Sequence, residues 1–230
     1  MGRSGPYPGA ALGSLSDSEP MSEFDGAAFV RFLGTFADRL RERREELTQL
    51  DSAIGDADHG INMDRGFTAV RAKLTELDGS DLGATAKAVG MTLISTVGGA
   101  SGPLYGTFFL RVATTLGEQG EAEAADVGAA LRAGLEGLVQ RGKAVLDDKT
   151  MVDAVTPAVE AFDAAVGDGL AAALGAAADA AAVGRDRVTP LVARKGRASY
   201  LGERSANHQD PGATSATIML EALRDAVATA

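Results

Sequence analysis

Apolar residues recur at helical spacing in eight separate segments, and this periodicity limits the possible folds more than any other feature. In the first segment Phe29, Leu33, Phe36 and Leu40 repeat every three or four residues, which is the pattern of one buried helix face. Alternating runs of β-branched and aromatic residues, which are typical of strands, are nearly absent. The pattern predicts an all-α fold with helices at about 23–49, 61–77, 81–97, 103–116, 122–142, 151–166, 168–194 and 213–228.

Short loops between these helices favour antiparallel neighbours, so we predict an eight-helix up-and-down barrel or bundle. The 230 residues are enough for one well-packed domain, and two domains would be cramped. We therefore assign residues 22–230 to a single helical domain. Residues 1–21 are rich in Gly, Pro and Ser and lack the basic and apolar regions of a signal peptide, so we predict a disordered leader there.

An up-and-down arrangement places every second loop at the same end of the molecule. The loops at one end hold nearly all the unusual residues of the chain, and they span 51–60, 98–102, 142–150 and 195–212. This coincidence predicts a single functional site at that end.

The charge of the chain excludes several classes of partner. There are 22 basic and 32 acidic residues, for a net charge of −10. Nucleic acid and anionic membrane surfaces both require a basic surface. No apolar run approaches the roughly 20 residues that span a bilayer. The chain has no cysteine, which fits a cytoplasmic location.

Three aspartates, Asp51, Asp56 and Asp58, lie close together in the first of these loops. Carboxylates packed this closely repel one another, so a cation that neutralises the cluster would stabilise it. Carboxylate oxygens are the ligands that Mg²⁺ and Ca²⁺ prefer. The alternative is a helix C-cap followed by a solvated acidic turn. From these residues alone, both interpretations stay open.

Two further loops favour the binding of an anion. Residues 98–103 form a Gly-rich turn that leads into a helix N-terminus, where free backbone N–H groups and the helix dipole attract anions. The long polar segment 196–213 carries Arg197 and Arg204 before the last helix, and arginine is a good phosphate ligand. A flexible connection and an ordinary charged surface loop are the alternatives.

Three other motifs are rejected. The run 137–144 resembles a Walker A loop but has Ala144 where the Mg²⁺-binding Ser or Thr should be. The run 56–67 fails as a calcium loop because Ile61 and Phe67 replace the required Gly and Glu. A serine hydrolase would need a Gly-x-Ser-x-Gly turn around Ser101, and the final glycine is absent.

Four segments occur in order along residues 22–230: Asp51 with Ile54-Gly55-Asp56-Ala57-Asp58-His59-Gly60, the Gly-Gly-Ala-Ser-Gly-Pro-Leu-Tyr-Gly run at 98–106, Thr150-Met151-Val152-Asp153-Ala154, and Arg197 with Gln209-Asp210-Pro211-Gly212-Ala213. Together they resemble the nucleotide-binding L subunits of dihydroxyacetone kinases. One motif alone is weak evidence, whereas four in sequence are specific. The resemblance implies an eight-helix antiparallel barrel that holds ADP or ATP at one rim.

The resemblance also implies a role for individual residues. Asp51, Asp56 and Asp58 would hold two Mg²⁺ ions that bridge the nucleotide phosphates. The implied nucleotide contacts are His59, Gly60, Ile61, Asn62, Ala100 and Ser101 at the phosphates, Gly142 and Met151 at the adenine and ribose, and Arg197, Asp210, Pro211 and Gly212 closing over the nucleotide. Relatives often have glycine where Ala57 stands, and the methyl group should make the loop slightly stiffer.

The implied activity is phosphoryl transfer shared between chains. A separate K subunit would hold dihydroxyacetone covalently on a histidine, so this chain alone should be inactive towards the substrate. Bound ADP would be rephosphorylated in place by an M subunit of the phosphotransferase system. The alternatives are a subunit that exchanges ATP from solution, a kinase for another ketose or acceptor, and a nucleotide-sensing regulatory subunit. Whether the chain forms a homodimer stays open.

Overall fold

The computed structural model describes residues 1–2, 24–77 and 79–228. The disordered leader predicted at 1–21 therefore lies almost entirely outside the described residues. The described part is built of helices: α1 Gly26–Glu42, α2 Arg44–Ile54, α3 His59–Leu74, α4 Leu82–Thr96, α5 Ser101–Leu116, α6 Ala124–Gly142, α7 Val152–Ala165, α8 Leu170–Arg187 and α9 Pro211–Ala228. Two short 3-10 helices are Val166–Asp168 and Arg197–Ser205, and two short strands are β1 Phe24–Asp25 and β2 Glu121–Ala122.

Helices α1 and α2 form one bent helix. The backbone N–H of Arg43 donates to Arg39 O, and the N–H of Leu47 donates to Arg43 O, both at 2.9 Å. The first bond closes α1 and the second opens α2, so only Arg43 lies between the two helices. Counted in this way, the described residues contain eight long helical segments, and the prediction of an all-α fold is confirmed.

The helices close into a ring. Each helix packs against the next one along the chain from α3 to α9, and α9 packs back against α1. The interface between α4 and α5 is especially close because a Cβ on Gly83 would lie 2.2 Å from Gly117 O, and a Cβ on Gly90 would lie 2.9 Å from Gly106 O. The order of neighbours is that of an up-and-down barrel.

Aromatic side chains fill the interior. Phe36 lies between α3 and α5, with its ring centroid 4.4 Å from that of Phe67 and 6.3 Å from that of Tyr105. Phe32 stacks on Phe36 and also on Phe109. These rings are almost completely buried, so they contribute a large share of the hydrophobic stabilisation.

At the end of the barrel where α1 begins, β1 pairs antiparallel with β2, with Phe24 opposite Ala122. Asp25 then begins α1 by accepting a hydrogen bond from the N–H of Ala28 at 2.7 Å. An N-cap of this kind typically stabilises a helix by about 1 kcal/mol. None of the helices in the described ranges is long and apolar enough to cross a membrane.

Three predicted boundaries were wrong. The first helix does not end at 49 but continues as α2 to Ile54, so Asp51 belongs to a helix. Helix α8 ends at Arg187 and not near 194. The segment predicted as a loop from 196 contains the 3-10 helix Arg197–Ser205.

Candidate metal and nucleotide site

An open pocket of about 170 Å³ lies at the end of the barrel where α2, α4, α6 and α8 finish. Its wall is formed by the four loops that the sequence placed together. The predicted site residues that line it are Asp51, Asp56, Asp58, His59, Ala100, Ser101, Met151, Arg197, Asp210, Pro211 and Gly212.

The three aspartates come together at the C-terminal end of α2 and in the loop that follows it. One carboxylate oxygen from each of Asp51, Asp56 and Asp58 lies within 4.8 Å of the others. Asp51 is buried in the last turn of the helix, whereas Asp56 and Asp58 are more accessible. A set of only carboxylate oxygens suits a hard cation such as Mg²⁺.

Asp51 also builds the loop that carries the other two aspartates. Its Oδ2 accepts the backbone N–H of Asp58 at 2.8 Å and that of His59 at 3.1 Å. Its Oδ1 lies so close to Gly55 that a Cβ on this glycine would be 2.0 Å away. The loop is therefore folded around the Asp51 carboxylate.

Ala57 takes a left-handed backbone conformation at the centre of this loop, with φ of +62°. This conformation costs a residue with a Cβ roughly 1–2 kcal/mol. A glycine would adopt this conformation without the cost, so in this chain the methyl group adds strain as well as stiffness.

The residues in the first turn of α3 that were predicted to contact phosphate point in different directions. His59 turns inward and is buried, and its two ring nitrogens contact Ser101 and Ser215. Burial lowers the pKa of His59, against the opposing effect of the Asp51 and Asp58 charges. The imidazole is therefore favoured in its neutral form.

Gly60, Ile61 and Asn62 do not line the pocket. A Cβ on Gly60 would lie 2.1 Å from Arg44 O, so this glycine allows α3 to pack closely on α2. Ile61 is half exposed on the outer face. The Asn62 side chain accepts a hydrogen bond from Arg65 at 2.8 Å. Their backbone groups remain at the helix N-terminus, but their side chains serve packing and the surface.

Leu104 and Met151 belong to the apolar part of the pocket, together with Ile54, Ala198 and Pro211. Gly142, which was predicted to contact the adenine, does not line the pocket. A Cβ at this glycine would lie 3.3 Å from Leu104 Cδ2, so Gly142 packs against Leu104. The Leu104 and Met151 side chains provide a surface on which a flat apolar ring could lie.

The segment between α8 and α9 crosses the pocket, and we call residues 188–205 the strap. Arg197 at the start of its 3-10 helix reaches the aspartate cluster, with Nη2 3.0 Å from Asp56 Oδ2. Within the strap, Ser205 Oγ accepts the N–H of Ala193 at 2.9 Å, so the last residue of the strap is tied to its first part. Arg197 is mostly exposed, so its guanidinium can reach an anion in the pocket.

Lys149 is the main site residue that the sequence analysis missed. Its side chain is buried, and Nζ donates to three backbone carbonyls of the strap: Thr189 O at 2.9 Å, Leu191 O at 2.9 Å and Ser205 O at 2.6 Å. All three hydrogens of the ammonium group are thereby used. In the sequence, the run Asp147-Asp148-Lys149 has the composition of an exposed charged loop, and only its position beside the 150–154 motif could have indicated a role.

Asp210 lies at the base of the pocket before α9. Its Oδ2 accepts the N–H of Ala213 at 2.7 Å, as an N-cap does. Burial raises the pKa of Asp210 to about 7, although the Ala213 hydrogen bond and the Lys149 charge act in the opposite direction. This carboxyl therefore changes its charge near neutral pH.

The arrangement described so far places three clustered carboxylates, a helix N-terminus with Ser101, and Arg197 around one pocket. In a comparison with protein families, the DAK2 domain matches residues 53–225, which contain all of these residues except Asp51. The chain belongs to the DAK2-domain family.

Several DAK2-domain relatives have known roles. The ADP-binding subunit DhaL of the PEP-dependent dihydroxyacetone kinase of Escherichia coli (strain K12) is 45% identical over 196 residues, which cover 84% of this chain and 93% of the relative. The corresponding subunit of a PTS-dependent dihydroxyacetone kinase from Lactococcus lactis is 40% identical, over 86% of this chain and 96% of the relative. A D-erythrulose kinase of Mycolicibacterium smegmatis is 32% identical over 95% of this chain, but this match covers only 38% of that enzyme.

Solved structures with a DAK2-like fold agree with the architecture. The dihydroxyacetone kinase of C. freundii matches with a TM-score of 0.68 and 27% identity, over 96% of this chain and 38% of that chain. The same enzyme in complex with AMP-PNP and Mg²⁺ matches with a TM-score of 0.67 and 26% identity.

Proposed function

We propose that this chain is the nucleotide-binding subunit of a dihydroxyacetone kinase. It would hold ADP or ATP with two Mg²⁺ ions and pass a phosphoryl group to dihydroxyacetone on a separate K subunit. The observation that carries this proposal is the convergence of the three aspartates, Ser101 and Arg197 on one pocket. The DhaL relatives, which are similar over nearly their whole length, support the same role.

The residues of the pocket fit Mg²⁺ and a nucleotide. Asp51, Asp56 and Asp58 offer hard oxygen ligands, and the bound cations would neutralise the charge that develops on a transferring phosphoryl group. The backbone N–H groups at the start of α5 would receive phosphate oxygens. Leu104 and Met151 would hold the adenine, and Arg197 would close over the phosphates.

The remaining residues have supporting roles. Asp51 keeps the metal loop folded through its bonds to the N–H groups of Asp58 and His59. Lys149 holds the strap that carries Arg197. Asp210, Pro211 and Gly212 begin α9 beside the pocket. Because phosphoryl transfer depends on positioning and electrostatics, this machinery can be complete without a base, provided that the partner supplies the acceptor.

The names of the relatives support a fixed ADP coenzyme. Those from Escherichia coli and Lactococcus lactis belong to PEP-dependent and PTS-dependent kinases, in which phosphate does not come from free ATP. We therefore propose rephosphorylation of bound ADP by an M subunit of the phosphotransferase system. Retention of ADP after gel filtration supports this, whereas rapid exchange with ATP contradicts it.

A second candidate acceptor is erythrulose. The similarity to a D-erythrulose kinase extends over 95% of this chain, so the same nucleotide site can serve a different ketose. The acceptor would be chosen by the partner that binds it. A comparison of dihydroxyacetone and erythrulose with each candidate K subunit distinguishes the two.

The decisive experiment measures binding and turnover with the purified chain. We expect ADP to bind only with Mg²⁺, and Mn²⁺ titration to give two ions per chain. The isolated chain with ATP and dihydroxyacetone should show no turnover, and a K subunit should restore it. Asp56→Asn should abolish metal-dependent binding, whereas Asp163→Asn, which affects a surface ion pair with Arg132, should not. Turnover by the chain alone would contradict the proposal.

A further inference from the structure

Four polar side chains form a continuous line of hydrogen bonds from the pocket into the core. Ser101 Oγ lies 3.1 Å from His59 Nδ1, His59 Nε2 lies 2.9 Å from Ser215 Oγ, and Ser215 Oγ lies 2.7 Å from the Tyr105 hydroxyl. The line joins α5, α3 and α9. Ser101 lines the pocket, whereas Ser215 and Tyr105 are fully buried or nearly so.

The direction of these hydrogen bonds can be assigned from the buried end. Within the described part of the chain, the Tyr105 hydroxyl has Ser215 Oγ as its hydrogen-bond partner. A buried hydroxyl proton without an acceptor costs roughly 1–3 kcal/mol, so Tyr105 must donate to Ser215. The single proton of Ser215 is then left for His59 Nε2 at 2.9 Å or for Gly212 O at 3.1 Å.

Two arrangements of the neutral imidazole satisfy these contacts. If Nε2 carries the proton, His59 donates to Ser215, and Nδ1 accepts the only proton of Ser101. Ser101 then offers only lone pairs to the pocket. If Nδ1 carries the proton, Nε2 accepts from Ser215 and His59 donates to Ser101. The Ser101 proton is then free to point into the pocket, where an anion needs it.

Tyr105 favours the second arrangement through Ser215. Because Tyr105 already supplies a hydrogen bond to Ser215 Oγ, this oxygen does not need His59 as a second donor. The Ser215 proton, strengthened by the bond it receives from Tyr105, can therefore go to Nε2. Without the tyrosine hydroxyl, Ser215 would have a donor only if His59 carried its proton on Nε2.

We infer that Tyr105 and Ser215 are positioning residues that hold His59 as the Nδ1–H tautomer, which makes Ser101 a hydrogen-bond donor to a phosphate oxygen of the bound nucleotide. This inference rests on the proposed nucleotide site. Gly212 O competes for the Ser215 proton, so the two arrangements are close in free energy, and an anion at Ser101 favours the one in which Ser101 donates.

Nitrogen NMR of the histidine rings tests the inference directly. The chain contains only His59 and His208, so ¹⁵N-histidine labelling of the full chain gives two ring systems, and His208→Gln assigns them. With saturating Mg²⁺ and ADP we expect His59 to be the Nδ1–H tautomer. The Nε2–H tautomer in this complex would overturn the inference.

Tyr105→Phe gives the second test, since it removes the hydroxyl and keeps the ring beside Phe36. We expect a larger population of the Nε2–H tautomer and roughly fivefold weaker binding of ADP, as for the loss of one modest hydrogen bond. Adenosine, which has no phosphate, should bind as before. In a Ser101→Ala background the Tyr105 change should weaken ADP binding no further.

Several results would count against this role. Equal weakening of ADP and adenosine by Tyr105→Phe, or an additive loss in the double variant, would show that Tyr105 acts through general packing and would overturn the inference. If Tyr105→Phe fails to fold, the tautomer measurement on the wild-type chain decides alone. Failure of the wild-type chain to bind ADP with Mg²⁺ would instead overturn the proposed nucleotide site, and the inference with it.

Discussion

At the scale of single residues, the proposed metal site depends on the absence of a Cβ atom at Gly55. Gly55 has no side chain, and the Asp51 carboxylate occupies the space where a Cβ would lie, 2.0 Å from Oδ1 and 2.9 Å from Cγ. Any other residue at this position must displace Asp51. The displacement would also break the two backbone hydrogen bonds that fold the loop.

Gly55→Ala should therefore weaken metal-dependent ADP binding by roughly 10- to 100-fold, as the loss of ligand support does in other metal sites. Calorimetric titration with Mg²⁺ and ADP measures this. The matched control is Gly175→Ala on α8, where a Cβ would meet nothing within 4 Å, and its ADP affinity should equal that of the wild-type chain. Equal affinities in the two variants would contradict the assigned role of Asp51.

Asp210 should make the stability of the chain depend on pH. Burial raises its pKa from the ordinary value of 3.8 to about 7. The folded state then holds this proton more tightly than the unfolded state. The stabilisation is fully present below pH about 4 and is lost as the pH rises through about 7.

The variant Asp210→Asn cannot ionise at this position, so it isolates the effect. We expect the free energy of unfolding of the wild-type chain, relative to that of the variant, to fall between pH about 4 and about 7 and to level off above that. Urea denaturation across this range measures it. If the difference in the free energy of unfolding between the two proteins does not change with pH, the pKa of Asp210 is not raised in the folded state.

At the scale of elements, the buried side chain of Lys149 helps to hold the strap in position. Lys149 fills the space beneath residues 188–205 and donates to three of their carbonyl oxygens. Methionine has a similar length but no donors, so Lys149→Met would leave three buried acceptors without partners. Each such loss typically costs about 1 kcal/mol or more.

We expect Lys149→Met to lower the free energy of unfolding by about 2 kcal/mol or more and to speed the release of ADP, because Arg197 would lose its fixed support. Lys143→Met is the control, since Lys143 lies in the same loop and is exposed. Hydrogen exchange should show faster opening of the strap only in the first variant. The same exchange rates in both variants would contradict the role of Lys149 in holding the strap.

The elements also show what the sequence could and could not predict. Helical periodicity located α3 to α7 and α9 to within a few residues because their buried faces are long and apolar. The extension of α2 through Asp51 was missed since Asp51 and Ser52 have the composition of a helix end, and the hydrogen bonds that fold this region come from Asp58 and His59. The 3-10 helix of the strap is short and kinked at Gly202, and it is held at Ser205 O by the distant Lys149, so no local pattern predicted it.

The candidate site could be predicted only in part for similar reasons. The aspartates, Ser101 and Arg197 belong to local motifs, so the chain order was enough to group them. The Tyr105 hydroxyl and the Lys149 ammonium act through partners more than 35 residues away in the sequence, and no local pattern records such contacts. Ile61 and Asn62 were placed at the phosphates by resemblance; neither lines the pocket, and their contact with a nucleotide stays a prediction.

At the scale of the whole molecule, the pocket joins segments from α2, α5 and α9, which are far apart along the chain. A ligand that contacts all three must stabilise the barrel as a unit. By linkage, ADP at 100 times its dissociation constant adds about 2.7 kcal/mol to the free energy of unfolding. We expect a single, higher thermal transition with Mg²⁺ and ADP together, little change with either alone, and none for Asp56→Asn. An equal shift with ADP in the absence of metal would contradict the carboxylate site.

The short pairing of β1 with β2 marks the end of the barrel that is remote from the proposed site. It fixes Phe24 at the end of the barrel opposite the pocket, and the bent helix from Gly26 to Ile54 spans the distance between the two ends. At 1.5 Å per residue its 29 residues reach about 40 Å. A fluorophore attached near Phe24 would therefore lie far from the pocket and leave the pocket end of the barrel free for the proposed K subunit.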